Sequence, residues 1–317
     1  MNNTRSIVIL GANGRLGSAA CIAFAQAGWR VLAQVRRPGL HTWPTGVEEL
    51  NLPIEAPEAW TAVLPQAHWV LHASNPVYTR WRQEALPLVE QSLALAQALG
   101  ARWVLPGNVY NYGAKLPERI DAHTPFAPDH DKARIRVAME ELAQAHSERG
   151  LPVSIVRAGD FYGHGQGTWL DLVVAKRWRQ ARLTYPGPLD KAHAWAYLPD
   201  YAQTLVALAQ RPQPLPDFEA LRFGGHTLNG AQLLAAIQQA ADELMPGRTR
   251  AWRTERMPWW LLRLGSGLVP MWREVLAMRY LWTSPHEIVS SEWPQAGGSE
   301  PPSTPVAQAM TQALRSF

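Results

Sequence analysis

The chain carries one cysteine, Cys21, in 317 residues, so it cannot form an internal disulfide. Cys21 lies on the apolar side of a helical stretch and reads as a buried core thiol, which fits a reducing, cytoplasmic setting. Long Lys/Arg runs are missing as well: the net charge is +4, and the basic residues come singly or in pairs. Without a concentrated basic face, nucleic-acid binding is not expected. Long apolar runs are also lacking. The most apolar stretch, Met257-Pro258-Trp259-Trp260-Leu261-Leu262, is broken by Arg263, Gly265 and Gly267, well short of the roughly 20 residues that span a bilayer. The first apolar stretch is short too and runs into a glycine turn, so neither a secretory leader nor an integral membrane segment is expected. No residue set is assigned to a metal.

Hydrophobic residues make up 47% of the chain and charged residues 18%, an ordinary globular balance at a length that allows one large domain with a smaller lobe. Fifteen tryptophans are many for this length. Core filling or an interface, including that of a homodimer, accounts for them more simply than a pocket for a flat ligand.

Gly11-Ala12-Asn13-Gly14-Arg15-Leu16-Gly17 sits between an apolar strand, Ser6-Ile7-Val8-Ile9-Leu10, and an Ala-rich helix. A glycine turn at that junction points backbone N–H groups and the helix dipole at a diphosphate. Further β-rich runs occur at Trp29–Val35, Trp69–His72, Trp103–Leu105 and Val153–Val156, with helix candidates around 16–27, 82–99 and 131–149 between them. This alternation predicts an α/β fold: a doubly wound parallel (Rossmann) sheet with a smaller, mostly helical C-terminal substrate lobe.

Beyond residue 163 the reading is a loop to Gly167, a helix near 168–181, a turn at Pro186-Gly187-Pro188, and a helix from Leu198 to about Gln210. Prolines 212, 214 and 216 form a stiff connector. A strand at Ala220–Phe223, a helix over about 230–245, Trp-rich helices in 258–282, an irregular 294–305 and a short last helix follow. The expected division is 1–165 plus about 196–212 for the Rossmann domain that carries the glycine turn, with 166–195 and 213–317 for the substrate lobe.

The second strand ends Val35-Arg36-Arg37 with no nearby acid to take a ribose 2′-hydroxyl. Arginines there accommodate a 2′-phosphate, so NADP is favoured over NAD, and Arg15 is placed to reach the same phosphate. His72-Ala73-Ser74-Asn75 would let the adenosine half lie close. Cofactor candidates are therefore Gly11, Asn13, Gly14, Arg15, Leu16, Gly17, Arg36, Arg37, His72, Ala73 and Ser74.

With the glycine turn, His72-Ala73, Val109–Gly113, Arg157-Ala158-Gly159-Asp160-Phe161-Tyr162-Gly163 and Tyr197-Leu198-Pro199-Asp200-Tyr201-Ala202 in that order, most of the chain resembles the short-chain dehydrogenase/reductase superfamily. The likeness is to its extended branch of nucleotide-sugar epimerases, dehydratases and reductases. The resemblance implies a Ser or Thr after the fifth strand and a Tyr-x-x-x-Lys on the next helix, whose lysine lowers the tyrosine's pKa for proton exchange. On that pattern Asn108 takes the hydroxyl position, Lys132 the tyrosine's and Arg136 the lysine's. No tyrosine occurs between Tyr112 and Tyr162, so the usual proton donor is missing and the site is atypical.

Three explanations stay open. Lys132, if desolvated, acts as acid–base; or Tyr110, Tyr112, Asp160, Tyr162 or His193 supplies the proton; or the chain binds NADP(H) without turnover, as a sensor. The favoured reading is an NADP(H)-dependent oxidoreductase or epimerase/dehydratase-like enzyme on a small carbonyl or sugar-derived molecule. Its catalytic candidates are Asn108, Lys132, Arg136 and Tyr110, and Tyr112, Asp160, Phe161, Tyr162 and His193 are its substrate contacts. His164, Trp169, His193, Trp195 and Tyr197 fall in the segment expected to close over the cleft. Arg279-Tyr280-Leu281-Trp282 is a compact cluster in the distal lobe that either touches the pocket or packs against the sheet domain, and Arg248, Arg250 and Arg253 are loosely placed for a diphosphate. A further idea is peripheral membrane association through residues 257–272.

Overall fold

The computed structural model describes residues 5–212, 214–293 and 300–317. The first part of the chain runs β1 (Ser6–Leu10), α1 (Arg15–Gln26), β2 (Arg30–Gln34), β3 (Val47–Leu50), α2 (Pro57–Val63), β4 (Trp69–His72), α3 (Trp81–Ala98) and β5 (Arg102–Gly107). It continues through β6 (Arg119–Ile120), α4 (Asp131–Ser147), β7 (Val153–Arg157), β8 (Asp160–Tyr162), β9 (Arg182–Tyr185), β10 (Ala192–Tyr197) and α5 (Leu198–Gln210). The last part holds β11 (Phe218–Arg222), β12 (His226–Asn229), α6 (Gly230–Leu244), β13 (Arg253–Arg256), α7 (Trp259–Gly265), α8 (Pro270–Ala277), β14 (Glu287–Ile288) and α9 (Val306–Arg315).

The main sheet has seven strands in the order β11-β7-β5-β4-β1-β2-β3, all parallel. Its central strands are buried along their whole length, as a sheet covered on both faces requires. One core layer packs α1 and α5 on one face, around Phe24, Trp29, Tyr201 and Leu205. The other packs α2, α3 and α4 and runs on into the C-terminal lobe through Trp103, Trp195 and Trp282. Cys21 is buried in the first layer, where loss of water pushes its thiol up. Three smaller sheets, β12-β10-β8, β13-β9 and β14-β6, build the lobe at the carboxyl ends of the main strands.

Two strands join the sheet beyond the five expected. β3 is half-exposed and carries Glu48 and Glu49, so its composition hides it. Phe218–Arg222 pairs in register with Val153–Arg157 and is the far edge strand, which moves it out of the small lobe to which the sequence reading assigned residues 213–317. The helix expected near 168–181 is instead a π-helical turn at Leu170–Val174 and a 3-10 turn at Trp178–Gln180. The Asp171 carboxylate accepts the backbone N–H groups of Gly167 and Thr168, both at 2.6 Å, and its own N–H donates to the Thr168 hydroxyl (3.3 Å), a capping arrangement that starts the turn. Ala181, at φ +55°, ends the segment. Of the segment expected to be irregular, 294–299 lies outside the described residues and 300–304 has no regular structure.

Candidate functional site

A cleft of about 1590 Å³ opens at the carboxyl ends of β1, β2, β4, β5 and β7. Its floor starts at the glycine turn. Gly11 has φ +76°, and a Cβ there would stand 2.8 Å from the Ser74 backbone. At Gly17 a Cβ would run into the Gly11 carbonyl. Gly11, Asn13, Gly14, Arg15 and Leu16 line the cleft, and Gly17 lies beneath them in the first turn of α1. The Gly11 N–H donates to Gln34 Oε1 (3.1 Å), which leaves the first-turn amides of α1 as the anion-facing donors.

The corner after β2 is held to this turn by Asn13, whose Nδ2 donates to the Arg37 carbonyl at 2.8 Å. Arg36 and Arg37 are exposed and border the cleft beside Gln34, Val35 and Leu40. Arg15 is placed differently from the expectation. Its guanidinium donates across the cleft to the carbonyls of Gln166 (3.1 Å) and Gly167 (2.7 Å), so it is engaged by the opposite loop rather than by the β2 corner. His72, Ala73 and Ser74 line the floor. His72 is buried, its Nδ1 lacks a partner among the described residues, and burial, helped by the Arg136 charge, pushes its pKa down to about 3. Its ring is tilted against Trp103, with centroids 5.7 Å apart, and the neutral imidazole is the favoured form.

The chemical wall follows β5. The Asn108 Oδ1 accepts the Tyr110 backbone N–H (2.9 Å), which presents its Nδ2 as the donor toward the cleft. Arg157, at the end of β7, supports this segment from behind. It donates to the Asn108 carbonyl and makes two 2.9 Å bonds to Glu140 of α4, with both side chains buried. Arg136 reaches the cleft from α4, donating to the Pro106 carbonyl (3.2 Å) with its guanidinium 5.2 Å from the Trp81 ring.

Lys132, one turn earlier, behaves otherwise. Its ammonium is bonded to Glu274 of α8 and sits 5.3 Å from the Tyr78 ring. Glu274, but not Lys132, borders the cleft. The lysine set at the tyrosine position by the family pattern is thus a tie between α4 and the lobe.

The tyrosine that does face the cleft is Tyr78, in a 3-10 turn at Tyr78–Arg80. Its hydroxyl lies 3.1 Å from that of Tyr110, which also lines the cleft. Burial raises both phenols, Tyr110 well above its ordinary value. For Tyr78, the bond with Tyr110 and the Arg136 charge work against burial, whereas for Tyr110 the bond with Tyr78 adds to it; either hydroxyl can be the donor in the pair. The sequence reading passed over Tyr78. Its signal was position: a tyrosine four residues past Ser74, just beyond a strand's carboxyl end.

The remaining candidates divide between wall and interior. Asp160 and Phe161 line the cleft. His193 is buried behind Asp160, with Nε2 3.0 Å from that carboxylate, Nδ1 3.1 Å from the Leu281 carbonyl, and its ring stacked on Trp282. Tyr112 and Tyr162, expected as substrate contacts, are interior. Tyr112 packs edge-on to Phe126, and the Tyr162 hydroxyl lies 2.7 Å from His226 Nδ1. Trp169 lines the cleft and meets Trp282 edge-on, whereas Trp195 and Tyr197 are buried and His164 lies 3.0 Å from the Ser18 hydroxyl. Arg248 is taken up by the Trp178 carbonyl, and neither Arg250 nor Arg253 borders the cleft. A dinucleotide fits this arrangement. The crowded glycine turn leaves space only for backbone, and buried polar atoms at Asn13, His72 and Arg136 lack partners among the described residues.

A family model described as the NAD dependent epimerase/dehydratase family matches residues 7–224. Among curated proteins, no sequence match was found. Several solved structures share the fold. The UDP-Glc/GlcNAc 4-epimerase of Campylobacter jejuni superposes with a TM-score of 0.70 at 13% identity over 98% of each chain. The Bordetella bronchiseptica enzyme WbmH, in complex with NAD+, gives 0.71 at 14% identity over 99% of each chain. The UDP-glucuronic acid 4-epimerase from Bacillus cereus, in complex with NAD, gives 0.72 at 12% identity over 98% of this chain and 96% of that one. At these identities the likeness is one of fold.

Proposed function

The chain belongs to the NAD dependent epimerase/dehydratase family, and from that premise we propose an NADP(H)-dependent oxidoreductase or epimerase-like enzyme for a small carbonyl or sugar-derived substrate. Its acid–base group is Tyr78. The observation that carries this reading is the Tyr78–Tyr110 hydroxyl pair at 3.1 Å, on the same cleft wall as Asn108 and Arg136.

A bound nicotinamide supplies or accepts the hydride. The chain's own part is positioning and protons. Asn108 Nδ2 donates to the substrate oxygen. The Tyr78 hydroxyl gives its proton to that oxygen as negative charge develops there, and the proton returns to Tyr78 in the oxidising direction. Tyr110 donates to the Tyr78 oxygen, and the Arg136 cation favours the phenolate, the task a lysine performs in the family pattern. With both phenols raised, the unliganded pair holds its protons and is set to donate. Asp160, backed by His193, offers a carboxylate to substrate hydroxyls from the cleft lining. Lys132 and Glu274 fix the wall that α8 adds.

NADP is preferred to NAD in this reading because Arg36 and Arg37 meet the cleft where no carboxylate lines it among the described residues. Calorimetry tests this: Arg36→Ala should weaken NADPH binding about tenfold or more while leaving NADH nearly unchanged. Equal losses for both overturn the preference.

Turnover is tested by following NADPH absorbance against carbonyl compounds and, because an epimerase regenerates its cofactor, by following product formation from UDP-sugars such as the UDP-glucose bound by MoeE5. Tyr78→Phe should lower kcat by about 10²–10⁴-fold with NADPH affinity retained. One observation favours a second reading, a non-catalytic NADP(H) sensor: the tyrosine–lysine positions are filled by a tied Lys132 and by Arg136. Saturable NADPH binding with no turnover across the panel selects the sensor.

A further inference from the structure

The α7–α8 hairpin shows two different faces. Inward, Leu262, Trp272 and Val275 form part of the cleft wall. Outward, six large apolar side chains between 260 and 271 stand in solvent: Trp260 (66% exposed), Leu261, Leu264 (74%), Leu268 (89%), Val269 and Met271. They are six of the thirteen such side chains among the described residues, gathered in one short hairpin rather than scattered singly. Trp259 takes no part in this face, since its Nε1 donates to the Pro186 carbonyl (2.7 Å) and holds the start of α7 to the body.

The exposed charges of residues 253–279 have one sign. Arg253, Arg256, Arg263, Arg273 and Arg279 are exposed around the hairpin and its base. The two acids of the segment are already engaged, Glu255 by Arg177 and Arg182, and Glu274 by Lys132. An apolar tip within a collar of arginines matches the interface of an anionic bilayer, where apolar side chains enter the acyl boundary and guanidinium groups meet phosphates. A second copy is the poorer occupant, because a twofold contact would set the arginines of one hairpin against those of the other.

We propose that the α7–α8 hairpin docks this protein on the surface of an anionic lipid bilayer, with Trp260, Leu264 and Leu268 as the inserted side chains. No helix among the described residues is long and apolar enough to cross a membrane, so the attachment is peripheral. Met271 is both exposed and part of the cleft wall, which places the cleft's apolar margin next to the lipid.

Co-sedimentation of the full chain with phosphatidylcholine vesicles, with and without one-quarter phosphatidylglycerol, tests the proposal, with light scattering run in parallel. The expected result is binding at least tenfold stronger to the anionic vesicles and weakened by high salt. It should drop at least tenfold in Leu268→Ser and in Arg263→Glu/Arg273→Glu, each with unchanged NADPH affinity and circular dichroism. Leu268 is the most exposed of the set, so its replacement leaves the packed face untouched. No binding to anionic vesicles overturns the proposal, as does binding that both variants retain. A concentration-dependent dimer abolished by these variants, without vesicle binding, assigns the face to a second copy. The readout is vesicle binding alone, so its failure is separate from any failure of turnover.

Discussion

His72 and His286 are both buried and both have their imidazoles pushed down to about 3. Burial is the first cause in each case, with the Arg136 charge adding to it for His72 and His193 for His286. The folded chain keeps these rings neutral, while the unfolded chain protonates them near pH 6.5. The stability they contribute is therefore complete above pH 6.5 and is lost as the pH falls from there toward 3. Each removes about 1.4 kcal/mol per pH unit in that window. Urea titrations at pH 7, 6, 5 and 4.5 should show the midpoint falling. The fall should be shallower in His72→Gln, by about one histidine's share. An unchanged slope would place the acid sensitivity elsewhere. The same residue explains a limit of sequence reading. His72 could be set at a strand end, but its neutrality depends on Trp103 and Arg136, which arrive from other elements.

At the scale of elements, the glycine turn was legible because its chemistry is local: three glycines between a buried strand and a helix. Gly17→Ala should show it, since the added methyl meets the Gly11 carbonyl, which is backbone and cannot swing aside. We expect roughly 1–3 kcal/mol of lost stability and weaker NADPH binding by calorimetry. A variant of wild-type affinity would mean that the turn does not hold the diphosphate. The alternation of strands and helices was legible for the same reason, through runs such as Ser6–Leu10 and Val153–Arg157 that are apolar throughout. What escaped was set by partners far along the chain. Phe218–Arg222 is an edge strand only because Val153–Arg157 lies beside it. Residues 168–181 have a helical composition and a capping arrangement at Thr168 and Asp171, yet they fold as a π-helical turn and a 3-10 turn. Tyr78 became a candidate only when a 3-10 turn brought its hydroxyl to Tyr110, 32 positions away.

At the scale of the whole molecule, the cleft is a boundary between sheet and lobe, and a few polar ties cross it. Arg15 reaches Gln166 and Gly167, His130 lies 3.2 Å from the Tyr280 hydroxyl, and Lys132 is bonded to Glu274. The last tie separates two accounts of Lys132. If the ammonium is a strut, removing either partner has the same consequence: α8 loosens, substrate KM rises, and kcat is largely kept. Glu274→Gln leaves Lys132, only 7% exposed, without its counter-charge. The cost should be about 2 kcal/mol, less than for a fully buried pair because Glu274 keeps some contact with water. Hydrogen exchange should rise over 270–277 and stay unchanged in the central strands. Replacing both partners, Lys132→Met with Glu274→Leu, should recover most of the stability, because neither charge is then buried alone. If instead Lys132 handles the reacting proton, Lys132→Met collapses kcat while Glu274→Gln does not, and the double variant stays inactive however stable it becomes. The geometry favours the strut, because the lysine is bonded to Glu274 of the lobe and does not border the cleft, whereas Tyr78 does.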